Sequence, residues 1–453
     1  MNDDLLEIKN FSISVNLNKN KTKLVEDINL NIPKGKVVGL VGESGCGKSI
    51  TALSITQLNE TPPLNYDSGS IEFKKKNLLA LNKRELNKIR GMKIGMIFQE
   101  PMTSLNPLHT IEKQINEMLM IHSAISYSEA SNKTKELLKQ VGLESISKRI
   151  KSFPHELSGG QRQRIMIAIS IANNPDLLIA DEPTTALDVT VQSQILDLLG
   201  NLQKKMNMSI LFISHDLAVV KKIADYVCIM KNGKIVEKNT KDNIFFSPQH
   251  PYTKKLVSSQ TKKKDVVVNQ NNLILKVNNL KVWYPIKKGF LRRIVNHVKA
   301  VDSINFELGV KQTLGIVGES GSGKSSLVLA ILKLISSGGE IIFNQQNINN
   351  ITNKKMKTLR KKMQIVFQDP FSSLSPRMTI EQIISEGLDV HEKKLSIEEK
   401  QSKIKQTIEE VGLKYEDIHK RFPHEFSGGQ RQRISIARAL VLKPKLLILD
   451  EPT

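Results

Sequence analysis

Cysteine is almost missing from this 453-residue chain: Cys46 and Cys228 are the only two, far apart in sequence. That excludes a disulfide framework or a cysteine-built metal cage, and it fits a reducing compartment. Aromatic residues make up 5% of the chain, with one tryptophan. No basic patch interleaved with aromatics is present, so no nucleic acid is expected as a partner. No apolar run reaches the ~18 residues of a membrane-crossing helix. The start MNDDLLEIKN lacks the apolar stretch of a secretory signal. Acidic residues are also in deficit, 45 Asp and Glu against 67 Lys and Arg, a net charge of +22. Such a charge suits an anionic membrane surface, but a Lys-, Asn- and Ile-rich composition gives the same excess without any partner.

What is present is a repeat. GESGCGKS at 42–49 returns as GESGSGKS at 318–325. Gly318 follows Gly42 by 276 residues, while Gln368 follows Gln99, Ser427 follows Ser158 and Asp450 follows Asp181, each by 269. The copies differ by one loop and then keep register, as a duplicated domain does. The first copy is expected over 1–257 and the second over 273–453, joined by a polar linker at 258–272 that contains KKK at 262–264. The second copy reaches Asp450-Glu451-Pro452-Thr453 in mid-domain, so the second copy is expected to be C-terminally truncated, with a natural asymmetric protein that has one working site as the alternative.

Each copy reads as α/β. KVVGLV at 36–41 and TLGIV at 313–317 are expected strands, each feeding a Gly-rich loop and then a helix. LLIA at 177–180, LLIL at 446–449 and ILFIS at 210–214 read as parallel core strands. Residues 108–150 and 378–420 read as amphipathic helices inserted between the motifs.

The pattern G-x-x-x-x-G-K-[ST] binds phosphate because glycines let backbone N–H groups turn inward at a helix N-terminus. The loop residues are Gly42, Glu43, Ser44, Gly45, Cys46 and Gly47 in the first copy, and Gly318, Glu319, Ser320, Gly321, Ser322 and Gly323 in the second. Lys48 and Lys324 are expected to reach the phosphates, and Ser49 and Ser325 to bind Mg²⁺. Asp181 and Asp450 end apolar strands and are expected to help hold the ion. The adjacent Glu182 and Glu451 are placed to polarise an attacking water, although acidic residues after strands also cap turns. LSGGQRQR at 157–164 and FSGGQRQR at 426–433 supply a second phosphate cradle, Ser158, Gly159, Gly160 and Gln161 in one copy and Ser427, Gly428, Gly429 and Gln430 in the other.

P-loop, Gln99 and Gln368 after a strand, SGGQ and Asp-Glu together resemble the ATP-binding-cassette (ABC) ATPases. TALD at 185–188 and His215 in FISHD continue the set. The resemblance implies two tandem P-loop nucleotide-binding domains, each with a RecA-like parallel-sheet core, an antiparallel β part and a helical subdomain (about 100–165 in the first copy). It implies ATP and Mg²⁺ as cofactors, with Gln99 and Gln368 among the metal and catalytic groups. Asp188 would lie in a loop linking two sites. His215 would contact the γ-phosphate and hold Glu182. The two copies would form an intramolecular dimer, the SGGQ of one closing over the ATP of the other.

Narrower strings resemble the oligopeptide/dipeptide importer group: FQEPMTSLNP at 98–107, FQDPFSSLSP at 367–376 and the extension SPQHPYTKKLVSS at 247–259. The tandem arrangement is similar to that of microcin C-type peptide importers. This implies two integral-membrane permease subunits as partners, a periplasmic peptide-binding protein acting indirectly, and a peripheral place on the cytoplasmic face of the bacterial inner membrane. Such ATPases often stack adenine on an aromatic side chain. Tyr284 is the candidate in the second copy, whereas the first has Val15 at that position and either holds adenine less well or uses Phe11 or another group. A tandem-cassette translation factor binding the ribosome is the alternative, but 258–272 is short for its linker. A DNA-repair cassette would need Cys-x-x-Cys insertions that are missing.

Overall fold

The computed structural model describes residues 4–17, 20–99, 104–185, 187–258, 272–288, 293–319, 321–369 and 373–451. The chain divides into two compact units, Met1–Lys264 and Asp265–Thr453. All but the ends of the expected linker lies outside the described residues.

The first unit contains β1 (Asp4–Leu17), β2 (Asn20–Pro33), β3 (Val37–Val41), β4 (Leu64–Phe73), β5 (Lys76–Asn77), β6 (Ile94–Ile97), β7 (Leu177–Asp181), β8 (Ser209–Ser214), β9 (Tyr226–Lys231) and β10 (Lys234–Thr240). Two sheets result, in the orders β2-β1-β4-β5 and β10-β9-β3-β8-β7-β6. The first is antiparallel. In the second, β3, β6, β7, β8 and β9 run parallel and only β10 turns back.

Every residue of β3 is buried. A parallel strand covered on both faces needs an unbroken apolar run, which VVGLV supplies. Side chains still alternate with period two. Val38, Leu40, Ile179, Leu211 and Ile213 pack with Phe11, Ile28 and Leu30 of the antiparallel sheet. Val37, Val41, Ala180, Ile210 and Phe212 join the core shared with the helices.

Those helices, Ile111–His122 and Tyr127–Gln140, begin at Thr110 and Ser126, whose hydroxyls accept the N–H of Lys113 and Glu129. Ile111, Ile115 and Leu119 lie one turn apart and face the core. The helix Gly159–Ile171 packs beside them and leads into β7.

The second unit contains β11 (Leu273–Lys288), β12 (Arg293–Gly309), β13 (Gly338–Phe343), β14 (Gln346–Asn347), β15 (Met363–Val366) and β16 (Leu446–Leu449). An antiparallel sheet β12-β11-β13-β14 repeats that of the first unit, and β15 and β16 pair in parallel. The helices Ile380–His391, Ile397–Glu410 and Gly428–Leu440 share a separate apolar core.

One expectation fails here. TLGIV at 313–317 is not a strand. Leu314, Ile316 and Val317 are 43%, 45% and 94% exposed, against full burial of Leu40 and Val41 in β3. The reason is pairing. β3 is hydrogen-bonded along both edges, to β8 and to β9, and a strand persists only where its N–H and C=O groups find a ladder. Among the described residues of the second unit no strand corresponds to β8 or β9, so the parallel part of that unit is β15 and β16 alone.

Candidate functional site

In the first unit β3 delivers the chain into the loop Gly42–Gly47, and the helix Lys48–Ile55 follows. Two glycines are there for steric reasons. A Cβ on Gly42 would lie 2.2 Å from the Met230 carbonyl oxygen, and Gly47 has φ +106° with a Cβ position 3.1 Å from the Leu24 carbonyl oxygen. No side chain caps the helix start, so its first-turn N–H groups remain available to an anion. Lys48 is 4% exposed. Its ammonium donates to the carbonyls of Gly42 and Glu43, both at 2.9 Å. Phosphate oxygens are the stronger acceptors for that cation.

Opposite the loop, Asp181 closes β7. Ser49 Oγ donates to Asp181 Oδ1 at 3.1 Å. Burial pushes the Asp181 carboxyl above the usual range, with the Ser49 hydroxyl pulling against it. Two hard oxygen groups thus meet where the resemblance implies Mg²⁺, and the Gln99 amide sits at the end of the adjacent strand. This donor set suits Mg²⁺. Among the described residues no group of three His, Cys, Asp or Glu forms a metal cage. When bound, such an ion neutralises phosphate charge.

Glu182 follows with φ +47°, a left-handed conformation that costs a non-glycine residue about 1–2 kcal/mol. It turns the side chain into the site. Glu182 Oε2 accepts from Gln99 Nε2 at 3.2 Å and from Thr185 Oγ1 at 3.0 Å, and pairs with His215 Nδ1 at 3.2 Å. The His215 bond, foremost, holds the Glu182 carboxyl below the usual range, and Glu182 raises His215 in return. Residues 99, 182 and 215 therefore meet at one carboxylate oxygen. Thr185 was not anticipated; a hydroxyl three residues past the glutamate, in the string DEPTTALD, was the available signal. Asp188 spends its carboxylate locally, accepting the Val191 N–H at 2.9 Å to cap the helix Val189–Met206.

In the second unit Lys324 donates to the carbonyls of Gly318 and Glu319 at 2.8 and 3.0 Å. Gly321 and Gly323 have positive φ like Gly45 and Gly47, and Ser320 lies outside the described residues. Glu451 has φ +45° and takes a bond from Gln368 Nε2. Its other oxygen lies 3.3 Å from Lys324 Nζ, whereas in the first unit Gln99 and His215 share one oxygen of Glu182. Among the described residues no hydrogen bond joins Ser325 to Asp450, whose backbone N–H pairs with Val366.

Tyr284 is half-exposed, with its hydroxyl 3.4 Å from Ser326 Oγ, two residues past Lys324. Its register supports the alignment: Tyr284 lies opposite Val298 as Val15 lies opposite Thr22. Phe11 does not serve as a substitute. It is fully buried, 6.1 Å from the Tyr66 ring centroid, because its strand turns it into the core.

Ser158 and Ser427 cap their helices in the same way. Each hydroxyl accepts the N–H of Gln161 or Gln430, whose side chain returns to the serine N–H. A Cβ on Gly160 would lie 2.8 Å from Val191, while Gly428 and Gly429 border open space.

Comparison with known proteins identifies the family. The ABC transporter family model matches residues 25–185 and 301–453. The chain is similar to the peptidoglycan transport ATP-binding protein YejF of Agrobacterium fabrum, 52% identical over 99% of this chain and 82% of that protein. It is 50% identical to the uncharacterized ABC transporter ATP-binding protein YejF of Escherichia coli K12, over 100% and 86%. It is 41% identical to the glutathione import ATP-binding protein GsiA of Escherichia coli O1:K1, over 99% and 77%. The chain belongs to the ABC transporter family and is one of its ATP-hydrolysing ATP-binding proteins.

Proposed function

We propose that this ATPase powers import of short peptides across the bacterial cytoplasmic membrane through a separate permease of two integral-membrane subunits, fed by a periplasmic peptide-binding protein. The chain works from the cytoplasmic face and is peripheral; among the described residues no helix is long and apolar enough to cross a membrane. Two relatives carry the substrate class in their names, peptidoglycan transport and glutathione import. Glutathione is a tripeptide and peptidoglycan is cross-linked by short peptides, so both point to peptide cargo. The strings at 98–107, 367–376 and 247–259 support the same class and a microcin C-like branch within it. The translation-factor alternative gains nothing from these relatives.

The observation that carries the chemistry is the convergence on Glu182. Lys48 and the Gly42–Gly47 loop bind the phosphates, and Ser49, Asp181 and Gln99 hold Mg²⁺. Glu182 orients water and accepts its developing charge, steadied by His215 and Thr185. Lys324, Ser325, Gln368, Asp450 and Glu451 take the same roles in the second cassette, with Tyr284 under the adenine. Each SGGQ helix completes the nucleotide site of another cassette. Permease helices dock beside Gln99 and Gln368.

Co-sedimentation tests the assignment. The chain is expected to pellet with membranes that carry the cognate permease and to leave ribosomes unbound. Ribosome binding without membrane association would overturn the reading.

A further inference from the structure

The segment after β10 carries no catalytic motif, yet its helix Pro251–Ser258 is closely fixed. Glu237 of β10 accepts the N–H groups of Gln249 at 2.8 Å and His250 at 3.0 Å. His250 Nδ1 takes the Tyr252 N–H at 3.2 Å. These bonds aim Tyr252 inward, where it is 8% exposed. The Lys231 ammonium lies 4.7 Å from its ring centroid, within cation–π range. Lys231 follows Met230, whose carbonyl oxygen occupies the space a Cβ on Gly42 would need. The ring thus joins the core that includes Val41, the residue leading into the P-loop of the first cassette.

Its hydroxyl is the informative group. It is buried and no well-aligned hydrogen bond closes on it, an arrangement that costs about 1–3 kcal/mol unless a partner is reached. After burial, the Glu43 carboxylate of the P-loop acts on it most strongly. Glu43 is also the residue whose carbonyl shares the Lys48 ammonium.

We propose that Tyr252 is a positioning residue for ATP at the first P-loop, donating its hydroxyl proton to the Glu43 carboxylate and so fixing the loop when Lys48 leaves the Glu43 carbonyl for phosphate. The extension is then a brace for the nucleotide loop. This rests on the reading that the Gly42–Gly47 loop holds ATP.

The test is a Mg-ATP titration of the full chain carrying Lys324→Ala, so that the first site is read. Tyr252→Phe keeps the ring and removes only the hydroxyl. It is expected to weaken ATP binding about fivefold, the range of one hydrogen bond, with the thermal midpoint of the nucleotide-free chain unchanged. Glu43→Ala is expected to weaken it similarly, and Glu43→Gln to recover part of the loss because the amide oxygen still accepts. The pair Tyr252→Phe/Glu43→Ala is expected to bind no worse than the poorer single variant. Unchanged ATP affinity in Tyr252→Phe, or losses that multiply in the pair, would overturn the brace. Retained binding in Lys48→Ala would overturn the ATP assignment itself, and the brace with it.

Discussion

His215 Nδ1 lies 3.2 Å from Glu182 Oε2, and residues 33 positions apart are joined there by two adjacent strands, β7 and β8. For the carboxylate to accept, Nδ1 carries the proton, which leaves Nε2 free to face a phosphate or water. Glu182 with this support is a carboxylate held ionised in a buried position.

Glu182→Gln is accordingly expected to keep ATP binding at the first site and to lower its hydrolysis by about 10²–10⁴-fold. Single-turnover hydrolysis in a chain whose second site is disabled checks this. Normal turnover there would remove Glu182 from the mechanism.

Lys48→Ala is expected to weaken ATP binding at the first site by about 10- to 100-fold, the loss of a charge-assisted bond of about 1.5–3 kcal/mol. Calorimetric titration reads it. The loop carbonyls of Gly42 and Glu43 lose the same cation, so the empty loop is expected to become more protease-sensitive as well.

Gly42→Ala forces a methyl against the Met230 backbone and is expected to destabilise the first unit by about 1–3 kcal/mol. Gly45→Ala meets nothing within 4 Å at φ +80° and is expected to cost about 1 kcal/mol of backbone strain. Denaturant midpoints rank the two, and equal losses would show that contact with β9 is not what demands Gly42.

Leu40→Ala removes a fully buried side chain of β3 and is expected to cost about 2–5 kcal/mol. Its counterpart by register, Ile316→Ala, lies outside any strand at 45% exposure. That substitution is expected to cost less than about 1 kcal/mol. Equal effects in urea unfolding would restore 313–317 to the core.

Burial pushes the Cys228 thiol up to about 12 and also raises Cys46 from its ordinary value. Only thiolate reacts, so below these values the alkylation rate of the native chain is expected to climb about tenfold per pH unit without levelling at pH 9. Rates measured from pH 7 to 10 check the sign: a plateau at pH 8 would mean a lowered thiol. Cys46 is expected to react first and to be shielded by ATP.

The sequence by itself settled the repeat, its register and the motif set. Strand, Gly-rich loop and helix are contiguous, so their chemistry is written in neighbouring residues; Lys48, Ser49, Asp181 and Glu182 could be named from spacing. The apolar runs at 177–180 and 210–214 announced parallel strands because burial on both faces leaves no room for alternation. Tertiary structure decided what depends on partners from elsewhere in the chain. TLGIV at 313–317 has the composition of β3, but a strand exists only where a second and third segment complete its hydrogen bonds. Phe11 offered an aromatic ring, and the pleat of β1 turned it inward. Thr185 is a local partner of Glu182, but Gln99 and His215 come from other strands, and Tyr252 is held inward by a helix fixed to Glu237. No local pattern encodes such meetings, because the geometry that makes them is set by the packed sheet.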